Sequence, residues 1–167
     1  MPQSDRLILD ISQTEDFESY YAIHSDPKTN LFNPAGPMNL QKAKAGFHEM
    51  LLHWKEYNFG SWTIKSRDTE TIIGFGGLSY RLYGDELKLN LGYRFSAESW
   101  GQGYATELAK FSIDYGFNVL QQEKIFAIVR PKHMASIKVL EKCKMKLVGK
   151  LDDVTGEAHS LIYLIEK

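Results

Sequence analysis

Residues 87–119 read LKLNLGYRFSAESWGQGYATELAKFSIDYGFNV. At the start of this stretch Leu87, Leu89, Leu91, Tyr93 and Phe95 recur at every second position, with Lys88, Asn90, Gly92 and Arg94 between them. That period predicts a strand with one buried face. Trp100-Gly101-Gln102-Gly103-Tyr104-Ala105 follows at once, and a helix is expected from about Gly103 to Val119. The first backbone N–H groups of a helix have no partner within it and carry partial positive charge. Glycine at that point lets a phosphate come close to them. A strand, a glycine-bearing turn and a helix in this order point to a pyrophosphate-bearing ligand laid across the turn.

The rest of the chain is read outward from that unit. Its 167 residues suffice for one domain, taken as 1–167, and 43% hydrophobic with 13% aromatic residues promises a substantial core. A net charge of −1 shows no basic excess that would favour nucleic acid or an anionic membrane as partner. The lone Cys143 allows no internal disulfide, which fits a reducing cytoplasm. The first ten residues lack the apolar run of a signal peptide, and no stretch approaches the length of a membrane span.

Arg6-Leu7-Ile8-Leu9 reads as a first strand. Ser12-Gln13-Thr14-Glu15 has capping-box spacing, so a helix should follow to about Ser25. The prolines, asparagines and glycine of Asp26 to Pro37 predict a loop. Asn39 is placed to cap a long helix to about Tyr57, with Phe47, Met50, Leu51 and Trp54 on one face. Two strands, Ser61 to Ser66 and Thr71 to Tyr83, flank the turn Arg67-Asp68-Thr69-Glu70. Gly74, Gly76 and Gly77 in the second strand allow two readings, a bulge or packing accommodation, or the close approach of a ligand. Lys124 to Val129 is a compact apolar run expected as a central strand, and a helix is expected from about His133 to Cys143. Met145 to Leu151 and Ala158 to Ile165 complete the chain as strands around a turn at Asp152 to Gly156. The order β-α-α-β-β-β-α-β-α-β-β predicts an α/β (α+β) fold. Its mixed, mostly antiparallel sheet of about seven strands carries helices on both faces.

The strand LNLGYRF, the loop SAESWGQGYATE and the later PKHMASIKVLEKCKM resemble the GNAT N-acetyltransferases, most closely the RimJ/RimL type. DRLILD, FGSWTIKSRDTETIIGFGGL and HSLIYLIEK extend the resemblance over essentially the whole chain. It implies acetyl-CoA as cosubstrate and no metal. It implies that the backbone N–H groups of Gly101, Gln102, Gly103, Tyr104 and Ala105, with Thr106 beside them, hold the diphosphate. The family signature opens on Gln or Arg; Trp100 stands in that place here, so the main chain must carry more of the phosphate recognition. The pantetheine arm is expected in a gap between the strand ending at Phe95 and the strand at Ile125–Val129. There it would pair with the backbone of Tyr93, Arg94 and Phe95.

The resemblance further implies direct attack of a neutral amine on the thioester carbonyl. An α-amine, with a reference pKa near 8, needs little help in losing its proton. The acidic residue that this branch often carries two positions before Gly-Tyr is replaced by Asn90, which can orient a water or hold a substrate group but cannot act as a base. A plain outward-facing asparagine is the alternative. Glu86 is a weaker candidate base on the same face. The tyrosine that many GNAT enzymes use as acid on the last helix is replaced by Leu140, leaving Ser136 as candidate acid and cofactor contact, or as a serine bonded to its own helix. His133 stands where the branch usually has a capping asparagine that touches pantetheine, and a solvent-facing histidine at the helix start is the other reading. Lys144-Met145 replaces the usual Gly-Phe at the helix end, and Cys143 reads as core. Acceptor contacts are expected at Phe32, Asn33, Tyr80 and Tyr83, where plain packing is the alternative. His24, His48, His53, His133 and His159 are too scattered to form a metal site. The implied partner is a primary amine, either a peptide N-terminus or a small molecule, and a homodimer is compatible with the resemblance. A non-catalytic acetyl-CoA-binding module is the second reading. A nucleotide-binding domain is the third, although neither a P-loop nor an early dinucleotide fingerprint is present.

Overall fold

A computed structural model describes residues 3–167. Eleven main elements follow in the expected order: β1 (Leu7–Ile11), α1 (Phe17–Ser25), α2 (Leu40–Tyr57), β2 (Ser61–Ser66), β3 (Ile72–Tyr83), β4 (Glu86–Phe95), α3 (Tyr104–Asn118), β5 (Lys124–Val129), α4 (Met134–Lys142), β6 (Lys146–Leu151) and β7 (Ser160–Glu166). The seven strands form one sheet in the order β1-β2-β3-β4-β5-β7-β6. The described pairings are antiparallel except that of β4 with β5, which is parallel. Parallel neighbours need a long crossover, and α3 supplies it. By internal contacts the chain divides into two units, residues 1–77 with 93–104, and residues 78–92 with 105–167.

In the first unit β1 pairs with β2 from Leu7↔Ser66 to Ile11↔Trp62. Leu7, Leu9, Trp62 and Ile64 are almost wholly enclosed, and Tyr20, Ile23, Ala43, Phe47 and Phe75 form a second cluster around α1 and α2. Each fully buried aliphatic side chain contributes about 1.5–3 kcal/mol. Asn39 caps α2 as expected, its Oδ1 accepting from the Lys42 N–H at 2.9 Å. Asn58 ends the helix in the left-handed conformation at φ 60°. The capping-box expectation at Ser12 needs correction. Ser12 is buried, and its hydroxyl bonds Thr63 Oγ1 at 2.8 Å. The Gln13 N–H instead donates to the Asp16 carboxylate at 3.0 Å, and a short 3-10 turn precedes α1.

Gly74 and Gly77 of β3 serve packing. A Cβ on Gly74 would stand 2.8 Å from Phe95 Cδ1 and 2.9 Å from the Arg94 carbonyl. On Gly77, at φ 143°, it would stand 2.7 Å from Trp62 Cε3. A register shift in the paired β2, between Ile64 and Lys65, accompanies them.

In the second unit β5 and β7 pair from Lys124↔Glu166 to Val129↔Leu161, and β6 pairs with β7. A Cβ on Gly116 of α3 would meet Ile125 Cδ1 at 2.6 Å and Leu78 Cδ1 at 2.9 Å, so glycine lets α3 lie close against β5 and β3. Helix α4 ends in a Schellman pattern. The Met145 N–H donates to the Leu140 carbonyl at 3.0 Å, and the Lys144 N–H to the Glu141 carbonyl at 2.9 Å. Lys144 holds the left-handed position at φ 63°, a conformation that favours glycine, so the cap forms without the residue that suits it best. Cys143 is buried beside it, and burial pushes its thiol pKa up.

Candidate active site

The turn that decides the fold lies at the end of β4. After Phe95 a short 3-10 turn, Ala97–Ser99, leads through Trp100 to Gly101 at φ 76° and Gly103 at φ 80°. Both glycines occupy left-handed backbone that other residues avoid. A Cβ on Gly101 would meet nothing within 4 Å, and one on Gly103 would meet only the Arg6 guanidinium, at 3.5 Å. The main chain here is therefore uncovered, and α3 starts at Tyr104 with its own unpaired N–H groups.

Three side chains brace this turn. Trp100, half exposed, donates its Nε1–H to the Phe95 carbonyl at 3.2 Å. Tyr104 stacks on Phe95 with ring centroids 6.5 Å apart, and Phe95 in turn meets Tyr93 at 6.1 Å. Arg6 donates from Nη1 to the Gln102 carbonyl at 2.8 Å and lies over the Tyr104 ring, 4.8 Å from its centroid. Sequence reasoning placed Arg6 only as the start of the first strand. Its partner lies 96 residues away. The absence of Gln or Arg at Trp100 was read as a heavier load on the main chain, and nothing local in the sequence marks Arg6 as the side chain that reaches this turn.

Asn90 departs from the outward-facing alternative. It is buried, like its neighbours Leu89 and Leu91, and accepts a 2.6 Å hydrogen bond from the Tyr83 hydroxyl. Leu87, expected inside, is exposed. Strict alternation fails because this part of β4 is enclosed on both faces. Tyr83, a candidate acceptor contact, is itself buried against Phe126 with ring centroids 5.8 Å apart, and burial pushes its phenol well above the usual range. The Lys88 ammonium caps this pair, 4.5 Å from the Phe126 centroid and 5.9 Å from that of Tyr83.

Arg94 was also expected to face outward. Its guanidinium instead donates to Asn30 Oδ1, and burial lowers its pKa. Asn30 joins Asn33 through the Asn33 Nδ2–H, which donates to the same oxygen at 3.0 Å. Asn33 Oδ1 accepts from the Ala35 N–H, so this candidate acceptor contact organises the loop after α1. Phe32 beside it is exposed, and Tyr80 on β3 is half buried. His24 packs on Tyr20 with ring centroids 3.8 Å apart, and burial lowers its pKa to about 4. In the second unit Ala105, Thr106, His133 and Ser136 are half buried. His133 precedes α4 without a side-chain capping bond, and Ser136 lies in the first turn of α4.

Strand β4, the braced glycine turn and the start of α3 make up the candidate site, on a mixed seven-stranded sheet in which β4 and β5 are the parallel pair. The profile of the acetyltransferase (GNAT) domain matches residues 6–146, and the chain belongs to that family. Among sequence relatives, YkkB of Bacillus subtilis (strain 168) is 35% identical over 91 residues, 54% of this chain. The chain spans 53% of the length of YkkB. The N-acetyltransferase YoaA of the same organism is 28% identical over 150 residues, covering 89% of this chain and 84% of YoaA. An acetyltransferase structure from Agrobacterium tumefaciens str. C58 superposes with TM-score 0.84 at 24% identity, over 100% of this chain and 95% of that one. RimL, a ribosomal L7/L12 α-N-protein acetyltransferase solved with CoA, gives TM-score 0.77 at 15% identity, over 99% and 96% of the two chains. Spermidine N-acetyltransferase from Vibrio cholerae, solved with CoA and spermine, gives 0.76 at 16% identity, over 96% and 95%. At these identities the structural likeness speaks for the fold, which RimL shares with the spermidine enzyme.

Proposed function

We propose that this chain is an acetyl-CoA-dependent N-acetyltransferase of the RimJ/RimL kind, working in a reducing cytoplasm. It would move an acetyl group to a primary amine, either a peptide N-terminus or a small molecule. The observation that carries this reading is the turn at Gly101–Gly103. Two left-handed glycines leave main-chain N–H groups uncovered at a helix start, in a chain whose family is the GNAT acetyltransferases.

The cosubstrate supplies an activated acetyl thioester. The N–H groups of Gly101, Gln102, Gly103, Tyr104 and Ala105, with Thr106, would hold its diphosphate, and the main chain of Tyr93, Arg94 and Phe95 its pantetheine arm. The amine nitrogen forms the N–C bond while the C–S bond breaks, one amine proton leaves to water, and the thiolate takes up another. Asn90 fits a positioning role. Its Oδ1 is taken by the Tyr83 hydroxyl, so what it offers is its amide N–H groups, which cannot accept a proton from an amine. Tyr83, with its pKa raised by burial, keeps its proton at neutral pH. Deprotonation therefore runs through water, which suits an α-amine. Ser136 is the hydroxyl assigned to the departing thiolate, and His133 to the pantetheine amides. Phe32, Asn33 and Tyr80 are assigned to the acceptor side, and Tyr83, expected there too but buried against Phe126, is assigned to holding Asn90 in place.

A thermal-shift titration with acetyl-CoA, followed by thiol-release assays over amines and N-terminal peptides, tests this. Acetyl-CoA at 100 times its dissociation constant stabilises by about 2.7 kcal/mol, or about 5–10 °C in a chain of this size. No shift and no thiol release would refute the reading. A shift without thiol release from any amine would favour a binding module.

A further inference from the structure

The guanidinium of Arg94 lacks the partner its chemistry calls for. It is half buried beside α1 and donates to Asn30 Oδ1. The Asn30 amide cannot turn away, because its Nδ2 donates to the His24 carbonyl at 2.9 Å and the Asp26 carbonyl at 2.8 Å. Two titratable rings lie close by. Tyr20 is neutral, its pKa raised by burial, and His24 is neutral, its pKa lowered to about 4. Among the described residues no carboxylate pairs with Arg94. The cations of Lys65, Lys88, Lys124 and Arg130 each face an acid, at Asp10, Glu86, Glu166 and Asp153. A cation withdrawn from water without a counter-charge is costly, and a planar guanidinium is shaped to grip a carboxylate or phosphate with two parallel bonds. Asn30 also holds Asn33, next to Phe32, in the loop assigned to the acceptor.

We propose that Arg94 receives an oxyanion carried by the acceptor, so that the substrate is an amine that also bears a carboxylate or phosphate. This deepens the acetyltransferase reading and rests on it. An acceptor of that class neutralises the Arg94 side chain, while a polyamine adds like charge beside it.

The test compares matched acceptors with the wild-type chain and acetyl-CoA: amino acids and dipeptides against their C-terminal amides, phosphoethanolamine against ethanolamine, and spermidine. The oxyanion-bearing member of the carboxylate or the phosphate pair should show kcat/KM at least about tenfold higher, and whichever pair discriminates names the source. Arg94→Gln should bring that pair within about threefold by raising KM for the oxyanion-bearing member, and Arg94→Lys should keep part of the difference. Isothermal titration of the preferred amine into wild-type and Arg94→Gln protein, without turnover, should show the same loss. The matched pairs on wild-type protein decide the matter even if Arg94→Gln does not fold. Equal use of both members, a preference for spermidine, or discrimination that survives in a folded Arg94→Gln overturns the proposal. If acetyl-CoA itself does not bind, the parent reading falls and this one with it. If it binds and the oxyanion is ignored, this one falls alone.

Discussion

Mild acid should weaken this protein through His24 more than through any other histidine. The ring is buried in α1, its Nδ1–H donates to the Tyr20 carbonyl at 2.9 Å, and it stacks on Tyr20 and touches Phe75. Burial, with the Arg94 charge adding to it, lowers its pKa from 6.5 to about 4, although the bond to Tyr20 opposes the shift. In the folded chain the ring stays neutral until about pH 4, whereas unfolded it takes a proton from about pH 6.5 downward. The unfolded state thus binds more protons between those values, so stability falls as pH drops through that window and is unaffected above it. The shift from 6.5 to about 4, at 1.36 kcal/mol per pH unit, amounts to about 3 kcal/mol.

The assay is urea unfolding from pH 7.5 to 4.5 for the wild type and for His24→Phe, which keeps the stack on Tyr20 and removes the titration. At pH 7.5 the variant should be about 1 kcal/mol less stable for its lost hydrogen bond. Down to pH 4.5 the wild type should lose about 2–3 kcal/mol more than the variant, since carboxylates titrate alike in both. Parallel pH profiles for the two proteins would refute the argument.

Other expectations follow from single contacts. Lys144→Gly should stabilise by about 1 kcal/mol, raising Tm by about 2–4 °C, because the residue sits at φ 63° in a Schellman cap; no change in a melting curve would show that the lysine makes up its strain elsewhere. Gly77→Ala should cost more than about 2 kcal/mol in urea unfolding, since its Cβ would stand 2.7 Å from the buried Trp62 at φ 143°. Tyr83→Phe should cost about 1–3 kcal/mol by leaving the buried Asn90 carbonyl without its donor, and a neutral result would mean water replaces the hydroxyl. Arg6→Gln should weaken acetyl-CoA binding about tenfold in isothermal titration, because one side chain both bonds Gln102 and covers Tyr104 beside the glycine turn. Unchanged affinity would make Arg6 a surface residue only.

The parts of this molecule that were readable in advance are those set by neighbours within a few residues. Asn39 caps α2 because a cap acts within one turn, and the apolar run at Lys124 to Val129 became β5 between β4 and β7. The glycine turn was readable for the same reason, since positive φ at Gly101 and Gly103 is a local demand. What escaped reading depends on partners far along the chain. Ser12 has capping-box spacing, yet Thr63 lies 51 residues on and takes its hydroxyl. Asn90 and Arg94 fall on the polar beat of an alternating strand, but Tyr83 encloses one and Asn30 the other, so both polar side chains are drawn inward. Arg6 reached Gln102 by the same route, from strand edge to glycine turn. The misread residues therefore share one property. Each is a polar group whose hydrogen-bond partner periodicity cannot locate, buried at Ser12 and Asn90, half buried at Arg94 and exposed at Arg6. Arg94 is the case in which the protein supplies only an amide, which is why its chemistry points outward to a ligand.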